Sequence, residues 1–239
     1  MADRSIDIAF DVRSDSRGKD PDAHSATLRR YHRILWDKTL PYGKGRFCLE
    51  YGSGASYLVH QSGLGGFRLS SDSIVHTYFT WRRMRDIIRE IPPAEMAAFR
   101  DLAHTVGGYV VFPANGGLEL RTINQDRGVN KLINDRVDLT LECVRLAYAG
   151  LESPLGTTIR RYWDFFSLFG DFRGYCEFFL LQDLASGDFS QVRFFLPFMG
   201  FTPDPLPKDV AEYRTYMAAN IAFLKSRNAR IRAYACSAA

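Results

Sequence analysis

Lysine is scarce in this chain: of 31 basic residues, 25 are arginine and 6 lysine. Arginine is the better bidentate partner for phosphate and carboxylate, although a GC-rich coding bias yields the same ratio. Cysteine is scarcer still. Cys48, Cys143, Cys176 and Cys236 lie far apart with no C-x-x-C pair, so spacing supports neither a zinc site nor a disulfide framework, and they read as free thiols. Long apolar runs are missing. The densest, Phe178–Leu181, is flanked by Glu177 and Gln182-Asp183 and falls far short of the ~20 residues that span a bilayer. The N-terminal Met1–Ser5 has no apolar stretch behind a basic start, which predicts no secretory signal, no membrane role and a cytoplasmic location. Also absent are G-x-x-x-x-G-K-[ST], G-x-G-x-x-G after a strand, H-E-x-x-H and G-x-S-x-G. Their absence argues against P-loop, Rossmann, zincin and nucleophile-elbow chemistry. The cofactor stays open, and no metal ligands are assigned.

What is present is globular. With 46% hydrophobic and 24% charged residues, wholesale disorder is excluded. A chain of 239 residues is long enough to bury roughly 70–75% of its unfolded surface. Eighteen Phe and twelve Tyr point to a core packed by rings.

The pattern predicts an α+β fold with a small antiparallel sheet and several packed helices. It forms a single domain over residues 1–228, followed by a mobile tail over 229–239. Strands are expected at Ile6–Val12, Arg46–Glu50, Ser56–His60, Gly63–Leu69, Tyr109–Phe112, Leu118–Ile123 and Val192–Phe198. Helices are expected at Ser25–Trp36, Trp81–Glu90, Ala94–Val106, Lys131–Ala149, Leu155–Phe169 and Lys208–Arg227.

Three segments could carry chemistry. The densest runs from Thr122 through Gly128 to Glu142. At about 100° per residue, Asp135, Asp138 and Glu142 share a helical sector of about 60° bracketed by Leu139, Cys143 and Leu146. Carboxylates so placed suit a general base or a cation, and these three are the candidate catalytic residues. Asn124, Arg127, Arg136 and, from the first segment of the chain, Arg13 are candidates for holding an anionic substrate. A salt-bridged helix face is the alternative for this segment. The second candidate is Asp11–Ser16 with Asp20, Asp22 and His24 behind it, where helix capping is the competing explanation. The third joins His60, Ser70–Ser73 and His76 as a base and nucleophile, against structural histidines. The run Trp81–Arg85 has Met84, Ile87 and Ile88 turned inward, so its arginines are expected to form a solvated face without tight duplex binding.

Five stretches, Asp11–Asp15, Leu69–Ser73, Thr122–Gly128 (TINQDRG), Asp135–Glu142 (DRVDLTLE) and Leu168–Asp183 (LFGDFRGYCEFFLLQD), together resemble an uncharacterised family of bacterial proteins of similar length. The resemblance extends to about Asn228. It implies a bacterial intracellular protein and supplies no activity. The leading expectation is an enzyme acting on a nucleotide, a nucleotide cofactor or nucleic acid, with a nucleotide or other anionic small molecule as partner and a toxin or phage-defence setting. The rival is a non-catalytic binding protein in such a module.

Overall fold

The computed structural model describes residues 5–52, 57–63, 65–114 and 120–237. Two polar side chains start the helical structure. Asp20 Oδ1 accepts the Asp22 amide at 3.1 Å ahead of α1, Pro21–His24. Ser25 Oγ accepts the Leu28 amide at 3.0 Å ahead of α2, Ala26–Trp36. Each satisfies a donor that the first helical turn cannot satisfy itself. The stripe Leu28, Tyr31, His32, Leu35 and Trp36 buries one face of α2.

A two-stranded pair follows, β1 (Lys38–Thr39) against β2 (Arg46–Phe47). Then come β3 (Glu50–Tyr51), β4 (Tyr57–Ser62) and β5 (Gly65–Ser73), the helices α3 (Arg85–Arg89) and α4 (Pro93–Ala103), and β6 (Tyr109–Pro113). Strands β3-β4-β5-β6 form one antiparallel sheet in that order. Every residue of β6 is buried, as its unbroken apolar run requires. The second half of the chain is helical: α5 (Ile123–Val129), α6 (Val137–Tyr148), α7 (Gly156–Arg161), α8 (Trp163–Ser167), α9 (Phe172–Phe178) and α10 (Val210–Ser237). The whole is one α+β domain. Its core is aromatic: the Phe169 ring centroid lies 4.8 Å from Phe178, 5.0 Å from Phe179 and 5.2 Å from Phe165.

Several elements depart from the sequence pattern. Ile6–Val12 is a series of turns, because Asp7 Oδ1 accepts the Ala9 amide at 2.9 Å and local bonds displace a ladder. Ile6, Ile8 and Phe10 still pack on the core. Val192–Phe198 keeps only an isolated bridge to Ala185, and Phe195 N–H donates to Asp138 Oδ2 at 2.9 Å instead of to a strand. Of Leu118–Ile123, the first two residues lie outside the described ones. Its end is a helix start, closed by a reciprocal capping box between Thr122 and Gln125. The Lys131–Ala149 pattern becomes helical only at Val137, since Asn134 and Asp135 have φ of 46° and 59°. Leu155–Phe169 breaks at Tyr162 into α7 and α8. Finally, α10 continues past Asn228 to Ser237 with Ile231 fully buried. Arg227 fastens this helix by donating to the carbonyls of Gly107, Tyr109, Phe179 and Leu180.

Candidate functional site

The site begins at the free edge of a strand. The described part of β4 starts at Tyr57, opposite Ser70, so Ser71–Ser73 of β5 have no β4 partner among the described residues. Helix α1 fills this edge, and the Asp22 carboxylate takes the Ser73 amide in place of a strand carbonyl. Unpaired backbone donors at a sheet edge need such a partner.

Asp22 also ends a chain of side-chain hydrogen bonds. The Trp36 Nε1–H, which can only donate, is 3.0 Å from His32 Nδ1. The proton of neutral His32 is therefore on Nε2, 2.9 Å from Ser71 Oγ. Ser71, accepting there, turns its own hydrogen to Asp22 Oδ1 at 3.2 Å. His32 is fully buried. Burial, aided by the charge of Arg227, lowers its pKa to about 3, so the ring stays neutral and the direction of the chain is fixed.

Asp22 shares its surroundings with other carboxylates. Burial raises its pKa well above the usual range, and the charges of Asp72 and Asp20 add to the effect. For Asp72, burial raises the value to about 6; Arg127 opposes the rise while Asp135 and Asp20 favour it. Asp72 Oδ2 is ion-paired with Arg127, its Oδ1 accepts no hydrogen bond among the described residues, and the side chain is 19% exposed. Asp22 therefore binds its proton more tightly than a free aspartate and has no ion-paired cation among the described residues, while Asp72 has Arg127 against one oxygen and leaves the other accessible. Tyr109 of β6 stands beside them. Its phenol is pushed up, first by burial and then by Asp22, Asp20 and Asp11.

Arg127 is enclosed. Beyond Asp72 it donates to Ser73 O at 3.4 Å, Asp135 O at 3.1 Å and Thr140 Oγ1 at 3.1 Å, with none of its surface exposed. Its pKa is raised: burial pulls it down, and the charges of Asp72 and Asp135 more than offset this. Its guanidinium braces β5, α5 and the turn before α6 rather than facing an external anion. That turn is strained. Asn134 and Asp135 are consecutive non-glycine residues at positive φ, held by Tyr78 OH donating to Asn134 O at 2.8 Å and by Arg127 donating to Asp135 O. Such strain persists only where the surroundings impose it, and it gathers at functional sites. Asn124 of α5 donates to Ser70 Oγ at 2.9 Å and Ser71 O at 3.1 Å, leaving its buried Oδ1 without a partner among the described residues. His76, whose pKa is lowered mainly by burial and raised in part by Asp135, accepts the Tyr78 amide on Nδ1 at 3.0 Å.

The structure thus brings Asn124, Arg127 and Asp135 together with Asp20 and Asp22 of the second segment and Ser71 and Asp72 of the third. It sets other expected residues apart. Asp138 is fully buried, ion-paired with Arg136 and bonded to Phe195 N–H. Arg136 also donates to Pro205 O at 2.8 Å. Glu142 is held by Arg145 at 2.7 and 2.8 Å. The carboxylates of α6 are therefore bracketed by apolar residues because they are sealed in ion pairs, not because they line one cleft. Arg13 clamps Asp11 and Asp101, both at 2.6 Å, tying the first turns to α4. His60 is a core residue, bonded to Cys48 O and Ser62 Oγ, each at 2.9 Å. Among the described residues, no three His, Cys, Asp or Glu side chains are grouped as a metal ion would need.

A family of unknown function, DUF6994, matches residues 6–231. The chain belongs to that family. No curated protein and no solved structure matches it. An uncharacterised family covering most of the chain is the part of the resemblance that the match bears out, and the match extends beyond Asn228 into α10. No helix among the described residues is long and apolar enough to cross a membrane.

Proposed function

We propose that this DUF6994 protein is an acid–base enzyme acting on the sugar part of a nucleotide or nucleotide cofactor. The observation that carries the proposal is the unequal setting of two neighbouring carboxyl groups: Asp22, whose proton affinity is raised by burial, has no ion-paired cation among the described residues, while Asp72 is ion-paired with Arg127. Neighbouring titratable groups in such different surroundings are a means of dividing acid and base roles at neutral pH. Asp22 gives its proton to the leaving oxygen or nitrogen as its bond to the sugar carbon breaks. Asp72 takes a proton from the water that adds to that carbon. The net reaction is hydrolysis, and water restores both groups. Ser71 and His32 orient Asp22, and Tyr109 borders the reacting groups.

The reacting bond is placed at the sugar for an electrostatic reason. Asp20, Asp72 and Asp135 would repel a phosphoryl group at this spot, and the donors of Arg127 already go to protein acceptors. The test is to incubate the protein with nucleosides, nucleotides and dinucleotide cofactors and follow release of free base or sugar. Release that disappears in both Asp22→Asn and Asp72→Asn, with the fold retained, supports the reading. Release unchanged in both variants, or none from the whole panel, overturns it.

A second reading, a non-catalytic partner protein, is favoured by the loop bearing Met199. That residue is 97% exposed, beside a cavity of about 310 Å³ lined by Phe198, Phe201 and Leu206. Full biological function in Asp22→Asn would favour it.

A further inference from the structure

A second polar feature lies on α3 and α4. Arg85 and Arg89 are one turn apart on α3, Arg100 faces them from α4, and the three border a cleft of about 670 Å³ floored by Ile88 and Met96. That volume is within the ~300–1,000 Å³ of small-molecule sites. Like charges four residues apart on a helix repel by ~0.2–0.5 kcal/mol. Counter-charge is sparse: Arg89 has the exposed Asp86 at 3.4 Å, while Arg85 and Arg100 form no ion pair among the described residues. At the mouth, the Arg100 guanidinium lies 4.0 Å from the Phe79 ring centroid, and Phe79 remains 46% exposed. Arg82, Arg83 and Arg85 are exposed, as expected of a solvated face, and Arg85 also borders this apolar hollow together with Arg89 and Arg100.

This arrangement complements a ligand with an anionic end and a flat apolar body. An exposed ring with a stacked guanidinium is a platform for a planar base, and the planar arginine fork matches phosphate oxygens. A flexible alkyl chain would gain the apolar floor but not the stack. We propose that the cleft binds a nucleoside phosphate, with its base against the Phe79–Arg100 stack and its phosphates on Arg85 and Arg89. The inference goes beyond the acid–base reading and does not depend on it.

Calorimetric titration with adenosine diphosphate, inorganic pyrophosphate and dodecyl phosphate tests it on the full chain. The expected result is binding of adenosine diphosphate that is weakened at least tenfold in the double variant Arg85→Gln, Arg89→Gln and in Phe79→Ala. Arg160→Gln, on an exposed ion pair of α7, should leave it unchanged. Absence of adenosine diphosphate binding overturns the proposal. So does pyrophosphate or dodecyl phosphate binding as tightly, or binding that survives the double variant. Both arginines and Phe79 are exposed, so thermal midpoints near that of the parent chain separate lost binding from lost fold. None of these outcomes alters the titration of Asp22 and Asp72, so the two proposals fail separately.

Discussion

Ser71 Oγ lies 3.2 Å from Asp22 Oδ1 and 2.9 Å from His32 Nε2, so one buried hydroxyl joins a neutral histidine to the carboxyl group at the edge of the sheet. The direction of this link follows from Trp36, whose indole can only donate. Replacing Ser71 by Ala should strand the buried His32 N–H and cost about 1–3 kcal/mol. It should also raise the proton affinity of Asp22, which loses a donor to its charged form. Urea denaturation and carboxyl titration of the variant measure both. An unchanged Asp22 titration would show that the hydroxyl is packing only.

Asp22 and Asp72 both bind protons more tightly in the fold than the ~3.9 of a free aspartate. Groups of this kind favour the folded state at low pH, and their contribution is lost as pH rises through the folded value, about 6 for Asp72. Asp22→Asn removes one of the two charges. Its stability should therefore fall less than that of the parent between pH 5 and pH 8. Thermal midpoints across that range decide the matter, and parallel curves would contradict the assignment.

Three elements converge on the fully buried Arg127, which is ion-paired with the partly buried Asp72. Arg127→Ala leaves the Asp72 charge without its partner, and truncating one member of such a pair costs about 3–5 kcal/mol. A denaturation midpoint within error of the parent would mean that Arg127 is free to serve a substrate.

The Arg136–Asp138 pair should behave likewise although it lies outside the acid–base site. Asp138→Ala strands both the guanidinium and the Phe195 amide, and a loss of similar size is expected. Any catalytic loss in this variant should follow the folded fraction.

The end of α10 is part of the domain. Ile231 is completely buried, so Ile231→Ala should cost about 2–5 kcal/mol. Removing residues 229–239 should cost more. A truncated chain as stable as the parent would contradict the packing of this helix.

Much of the fold was legible because periodicity reports burial. The stripe of α2, the strands β4 to β6 and the start of α10 follow from it. Ile6–Val12 departs from its pattern because Asp7 offers its neighbours a local acceptor, and α10 past Asn228 is obscured because the buried Ile231 stands between Arg230 and Arg232 in a run of small residues. The site was legible only in pieces. Asp22 looked like a capping residue, and it does sit in a capped first turn. His32 lies on the apolar stripe of α2, where a histidine carries no visible signal. Asp72 was one polar residue in a run of serines. Their meeting depends on α1 taking the strand edge beyond Ser70, a tertiary relation that no spacing along the chain encodes. The carboxylates of α6 show the converse: their apolar bracketing is visible in the sequence, and in the structure it accompanies ion pairs to Arg136 and Arg145.

The most direct test of the acid–base account is a carboxyl carbon NMR titration of the ¹³C-labelled aspartates, assigned with Asp22→Asn and Asp72→Asn. The account predicts one resonance, from Asp72, titrating near pH 6 and a second, from Asp22, titrating well above the ordinary aspartate range, each shifting when the other residue is replaced. Titration of both in the ordinary aspartate range, independent of one another, would contradict it.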